Sequence, residues 1–121
     1  MKSINIKEKL SKFSKNWHPH LIATVDDMQV ILAKLKGEFV WHSHDNEDEL
    51  FQVIKGTLYM QFRDKTVTVN EGEFIVAPKG VEHNPMTKND EEVHVLLFEK
   101  LQTAHTGNVT HERTQTSYPK I

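Results

Sequence analysis

"ELFQVIKGTLYMQFRDKTVTVNEGEFIVA" (residues 49–77) alternates polar and apolar side chains, interrupted only by short turn sequences. In "TLYMQFR" (57–63), Leu58, Met60 and Phe62 fall on one side and Tyr59, Gln61 and Arg63 on the other. A period of two marks a half-buried strand, because successive side chains point to opposite faces of a sheet. "ELFQVIK" (49–55) reads the same way, with Glu49, Phe51 and Val53 sharing a face. "TVTV" (66–69) and "EFIVA" (73–77) follow, and Gly56, Asp64-Lys65 and Asn70-Glu71-Gly72 supply the turns between them.

The pattern extends both ways. Upstream lie "LIATV" (21–25), "MQVILAKL" (28–35) and "EFVWHSH" (38–44). Downstream, His83 begins an extended piece after the "PKG" turn (78–80), and "EVHVLLFEK" (92–100) is the last strong strand. Ahead of them, "NIKEKLSKFS" (5–14) predicts a short helix with Ile6, Leu10 and Phe13 on one face. Eight or nine short strands at regular spacing predict an all-β sandwich or barrel. The expected organisation is a single domain over 1–121, with the barrel at about 20–100. The polar tail "TAHTGNVTHERTQTSYPKI" (103–121) lacks alternation. It either wraps the outside of the domain or of a partner subunit, or stays loose.

Bulk properties narrow the function classes. The chain has 121 residues and a net charge of −2, so neither a nucleic-acid surface nor an anionic membrane is expected as partner. There is no cysteine, which excludes disulfides and thiolate zinc sites. No apolar run approaches the roughly 20 residues of a membrane span. The charged start "MKSINIKEKLSKF" lacks the apolar core of a signal peptide, so a cytoplasmic location is expected. The unusual count is eight histidines.

Their placement suggests a metal. In "EFVWHSH", His42 and His44 are two apart and share a strand face with Val40; Phe39, Trp41 and Ser43 take the other. Glu49 heads an apolar inward face, which is costly for a carboxylate unless it is paired or coordinated. His83 follows the Pro-x-Gly turn. Three imidazoles and one carboxylate suit one divalent ion: iron, manganese, nickel, zinc, cobalt or copper. Such a site carries about one net positive charge. The other histidines read differently. His18 and His20 stand beside a proline outside any clear strand. His105 and His111 fall in the polar tail and are expected in solvent. His94, inside "VHVLL", is read as a hydrogen-bonded core or groove histidine and as the first candidate for an extra polar group at the site. Asp45, Glu47 and Asp48 read as a solvated acidic turn. Tyr59 and Arg63 are expected to point away, while Phe51, Met60, Phe62, Phe74 and Phe98 are candidate apolar walls or ordinary core.

Together these residues resemble the two motifs of the cupin superfamily. The first reads Gly37, His42, His44, four residues, Glu49, six residues, Gly56. The second reads Gly72, five residues, Pro78-Lys79-Gly80, two residues, His83. Fifteen residues separate Gly56 from Gly72, the short bacterial spacing. Two positions depart from the family: four residues separate Gly37 from His42 where five are usual, and Thr87 stands where an Asn is usual. Neither removes a ligand. The chain is similar to small single-domain bacterial cupins of the mannose-6-phosphate-isomerase-like (RmlC-like) kind. That resemblance implies a double-stranded β-helix, or jelly-roll barrel, of two antiparallel sheets, frequently dimeric. It also carries His42, His44, Glu49 and His83 over as metal ligands, one by one.

The function expected is action on, or binding of, a small molecule at a mononuclear 3-His/1-Glu site. A metal-dependent dioxygenase, isomerase or lyase is the first reading. A non-catalytic module for a sugar or organic acid is the second, motivated by the scarcity of visible acid/base partners; a purely structural domain is the third. A homodimer is expected, because "MQVILAKL" is apolar on both faces and calls for a second layer. The N-terminal helix or the tail is the alternative cover.

Overall fold

A computed structural model describes residues 1–121. One short helix, α1 (Ile6–Leu10), precedes eight strands. They are β1 (His20–Val25), β2 (Met28–Leu35), β3 (Glu49–Lys55), β4 (Leu58–Phe62), β5 (Lys65–Val69), β6 (Phe74–Ala77), β7 (His83–Met86) and β8 (Val93–Lys100). They form a five-stranded sheet, β1-β2-β8-β3-β6, and a three-stranded sheet, β5-β4-β7. Every strand pairing is antiparallel. This is the all-β architecture that the alternation predicts, in the jelly-roll form of two antiparallel sheets that the resemblance implies. No helix is long and apolar enough to cross a membrane.

The core forms where the inward faces of the two sheets meet. Leu58 and Met60 of β4 are fully buried and pack with Val53, Val69, Val93, Val95 and Ile31. Removing apolar surface of this kind from water stabilises by roughly 25 cal/mol per Å². Between β3 and β4, Gly56 takes a φ of 88°, where a Cβ would meet Val93 at 3.0 Å, so glycine is the fitting residue.

Strand β2 is indeed buried on both faces. Its inward residues Ile31, Ala33 and Leu35 join the core, and Leu32 on the outer face packs with Leu10 and Ile22. The cover over Leu32 thus comes from α1, β1 and the terminal Ile121 of the same chain. The helix is shorter than the 5–14 span expected: Asn5 caps its start by accepting from the Glu8 amide, and it stops before Phe13. Phe13 instead stacks on the His20 ring at 4.1 Å.

"EFVWHSH" is not a continuous strand. Its backbone pairs with β7 only through isolated bridges, Glu38 to Met86 and His42 to His83. Pro85 lies between those contacts and has no N–H to donate, so the ladder cannot run through. Its carbonyl still accepts from the Phe39 amide at 3.0 Å. The irregular path also breaks the expected alternation, and Phe39 and His42 line the same cavity. The tail is neither loose nor solvated throughout. Thr103 and Thr106 are buried, Lys120 bridges to Leu21, and Asn108 and Ser43 exchange two hydrogen bonds of 3.0 Å.

Candidate metal centre

His42, His44, Glu49 and His83 converge inside the barrel. Each is nearly or fully buried, and one ligand atom from each lies within 4.8 Å of the others. Different parts of the fold bring them in. Glu49 opens β3 opposite Ala77, so the period that buries Phe51 and Val53 also turns its carboxylate inward. His83 opens β7 opposite Phe62. His42 is tied to His83 by reciprocal backbone hydrogen bonds of 3.1 and 2.9 Å, and His44 follows two residues on.

The rings are oriented for coordination. Nδ1 of His42 contacts the Val40 carbonyl at 2.9 Å, and Nδ1 of His83 contacts the Val81 carbonyl at 3.0 Å. These carbonyls hold the proton on Nδ1 and leave Nε2 free as a lone-pair donor, the usual arrangement behind a metal-bound histidine. Nε2 of His44 and of His83 each stand 3.4 Å from Glu49 Oε1, long for a hydrogen bond. Those three atoms are buried without a hydrogen-bond partner. Buried polar atoms are seldom left so. Ligands at about 2.1 Å from a common ion stand roughly 3–4 Å apart, so the spacing fits a divalent metal.

The electrostatics fit as well. Burial and the neighbouring His83 push the His42 imidazole down to about 4, which keeps it neutral and ready to coordinate. Burial alone would raise the Glu49 carboxyl, but the His44 and His83 imidazoles beside it hold it well below the usual range. His44, although buried, is raised overall by its contact with Glu49. A metal competes with the proton for His44, which makes binding weaker in acid.

Next to the four residues lies a cavity of about 30 Å³ with apolar walls that include Trp17, Ile31, Phe39, Phe51 and Leu97. Its polar lining is His42, Glu49, Glu99, His105 and Tyr118. The last three were not among the expected site residues. Glu99 is 1% exposed and accepts from Gln29 at 3.1 Å. Burial, then the neighbouring charge of Glu49, pushes the Glu99 carboxyl well above its ordinary value, which favours its protonated form. Alternation along "VHVLLFE" (93–99) puts Glu99 on the inward face with Val93, Val95 and Leu97, so the same argument that found Glu49 could have found it. His105 and Tyr118 sit in the tail, where no periodicity marks them.

Several expectations are corrected. His105 is part-buried, its ring 5.2 Å from Phe39 and its Nδ1 accepting from the Gln115 amide at 2.9 Å. His94 faces away from the barrel and pairs with Glu92 at 2.8 Å. Phe74 is exposed and Phe98 lies on the outer face, so neither is a wall; Met60 and Phe62 belong to the core and its edge, and Phe51 lines the cavity. His18 and His20 lie away from the cluster, but His20 opens β1 and is buried, although the sequence reads the pair as outside any strand. His111 is part-buried, its Nδ1 accepting from the Arg113 amide. Asp45, Glu47 and Asp48 form the expected turn, where Asp48 accepts from the Lys79 amide. Lys88 lies over the ring of Tyr59, and Arg63 lies over Trp41 and pairs with Glu82, outside the cavity.

Burial holds His105, like His42, at about 4, against about 6.5 when unfolded. A lowered histidine contributes stability that is fully present above about pH 6.5 and is lost as pH falls toward 4. The two together contribute on the order of 1–3 kcal/mol after allowance for partial exposure; Glu99, held protonated, contributes with the opposite sign. Urea unfolding of EDTA-treated protein should therefore show lower stability at pH 5 than at pH 7.5. The difference should shrink in His105→Gln, and an identical pH dependence in that variant would remove His105 from the account.

A barrel of two antiparallel sheets with three imidazoles and one carboxylate gathered inside defines a class of small β-barrel domain. The chain belongs to the cupin domain family (Cupin_2), whose model matches residues 28–99. It is 47% identical to a cupin-2 domain containing protein from Shewanella frigidimarina NCIMB 400, with a TM-score of 0.78 over 80% of this chain and 93% of that one. It is 32% identical to protein NMB1881 from Neisseria meningitidis, with a TM-score of 0.74 over 82% and 99% of the two chains. A third relative, "Uncharacterized protein YdbB" of Bacillus subtilis (strain 168), is 39% identical over 79 residues. That match covers 64% of each protein, less than two thirds of the relative's length.

Proposed function

We propose that His42, His44, Glu49 and His83 bind one divalent metal ion, and that the protein acts on a small molecule whose reacting atoms reach the small adjoining cavity. The observation that carries this is the set of buried, unpartnered ligand atoms on His44, Glu49 and His83 facing one another. A divalent ion would satisfy them at once. Bound there, it would polarise an oxygen of the small molecule or, as iron, support chemistry with dioxygen.

Metal-dependent catalysis of the dioxygenase, isomerase or lyase type is the reading we favour over simple binding. Acid/base partners are what a pure binding module can do without, and Glu99, His105 and Tyr118 line the same cavity as His42 and Glu49. A protonated Glu99 and the Tyr118 hydroxyl are proton donors, and a neutral His105 can carry a proton either way. Elemental analysis of untagged protein, purified without added metal, tests the site. Near one equivalent of one transition metal per chain is the expected result. Absence of any metal, even after reconstitution, would leave only the fold.

We also propose that the protein is a homodimer. The support differs from the sequence argument, since α1 already covers Leu32. Val30, Phe98, Leu50 and Val76 are cross-strand neighbours on the outer face, and the exposed Phe74 borders them. An apolar row of this kind suits a second copy. Light scattering should give twice the 14.1 kDa chain mass, and Phe74→Glu should shift it toward monomer. A monomeric wild-type mass at micromolar concentration would refute the dimer.

A further inference from the structure

Beyond the inner cavity lies a second, larger chamber that the motifs do not include. It has a volume of about 580 Å³ and is built mainly from residues 101–118 of the tail. That volume is in the range of small-molecule sites, roughly 300–1,000 Å³. His105 and Tyr118 line both spaces, so they form the wall between the chamber and the cavity beside the ligand cluster. Gln29 joins them from β2: it lines the chamber and donates to Glu99, which lines the cavity.

The chamber is framed by side-chain hydrogen bonds. Thr106 donates to the Val109 carbonyl and shares a 2.7 Å contact with Thr114, whose Oγ1 accepts from the His111 amide at 2.9 Å. Its lining is rich in hydroxyls and carboxamides: five threonines, a serine, a tyrosine and three glutamines. No lysine, arginine, aspartate or glutamate is among the lining residues. Thr103 is 5% exposed, and its hydroxyl has no hydrogen-bond partner within the protein. A buried hydroxyl left unpaired is costly unless a ligand or water meets it. On the dividing wall, the Gln115 amide fixes His105 Nδ1 as an acceptor, so the neutral ring carries its proton on Nε2 as a donor.

We propose that this chamber binds the body of a neutral, polyhydroxylated small molecule, a sugar or polyol, whose reactive end lies against the His105–Tyr118 wall on the side of the candidate metal ligands. Hydroxyl groups both donate and accept, and they match a lining of hydroxyls and carboxamides. A carboxylate or phosphate would find no cationic side chain there to offset its desolvation. The proposal rests on the metal-site reading for the inner end of the ligand only.

The test is isothermal titration calorimetry on the full chain, with metal content measured on the same samples. The neutral probes are D-xylose, D-glucose and myo-inositol; the anionic ones are gluconate and glucose 6-phosphate. At least one neutral probe is expected to bind one per chain, with its anionic counterparts weaker. Thr103→Val should weaken that binding about tenfold, the effect of one lost hydrogen bond, and Thr103→Ser should restore it. Metal content should be the same in both variants. Tighter binding of gluconate or glucose 6-phosphate would overturn the proposal. So would no heat with any neutral probe at tens of millimolar, or wild-type affinity in Thr103→Val. Neutral-probe binding by a protein without metal would support the chamber while the metal reading fails.

Discussion

His83→Ala is expected to purify with almost no bound metal while keeping its fold. The loss should exceed the roughly 10–100-fold that follows removal of an outer partner of a ligand, because a ligand itself is gone. His83 supplies a nitrogen whose direction is fixed by the Val81 carbonyl, and it is 1% exposed. Alanine would leave a hole of several atoms beside Phe51, whose ring centre is 6.3 Å from the imidazole. It would also remove one of the two imidazoles that stand 3.4 Å from Glu49 Oε1. Truncating a buried side chain costs roughly 2–5 kcal/mol. Here part of that is offset, because a metal-free imidazole with an unpartnered nitrogen is itself costly to bury. Elemental analysis gives the stoichiometry, and circular dichroism with thermal unfolding checks the fold. Unchanged metal content in a folded variant would defeat the site assignment.

Most of the barrel could be read from the chain because its strands bury one face against a core. β2 and β3 have the predicted bounds, and β4, β5, β6 and β8 match within a residue or two. The four residues that converge inside the barrel were legible for a related reason: Glu49 begins an inward apolar face, and His42, His44 and His83 occupy positions of a known motif. Legibility stops where contacts are local and aperiodic. Pro85 interrupts the pairing of 38–44 with β7, an effect that depends on two segments far apart in sequence. The tail is held by single, specific contacts such as Asn108 on Ser43, which leave no repeating pattern. His105 and Tyr118 were therefore invisible as cavity residues. Glu99 was legible, since it differs from Glu49 only in standing at the far end of its apolar run.

Gly107→Ala should do more damage than any other single-methyl change in the tail. A Cβ at this position would stand 2.1 Å from the Ser43 carbonyl oxygen and 3.1 Å from Cδ2 of His42. Neither neighbour can yield cheaply. The Ser43 oxygen belongs to backbone and accepts from the Asn108 amide, and the His42 ring, a proposed ligand, is already fixed by the Val40 carbonyl. The φ of 55° adds strain for a residue with a side chain, of order 1–3 kcal/mol at most for such positions. The least costly response is for the tail to lift from the barrel, breaking the paired hydrogen bonds between Ser43 and Asn108. His105 stands two residues away and would leave the cavity wall with it. Limited proteolysis should then cut Gly107→Ala within 103–121 much faster than wild type, while the barrel resists. Metal affinity should fall far less than in His83→Ala, because all four ligands remain. If proteolysis at the tail is unchanged, the close approach of the tail to His42 does not hold its end of the fold in place. If metal binding disappears entirely, the tail is part of what orients His42, and the ligand set depends on contacts outside the two motifs.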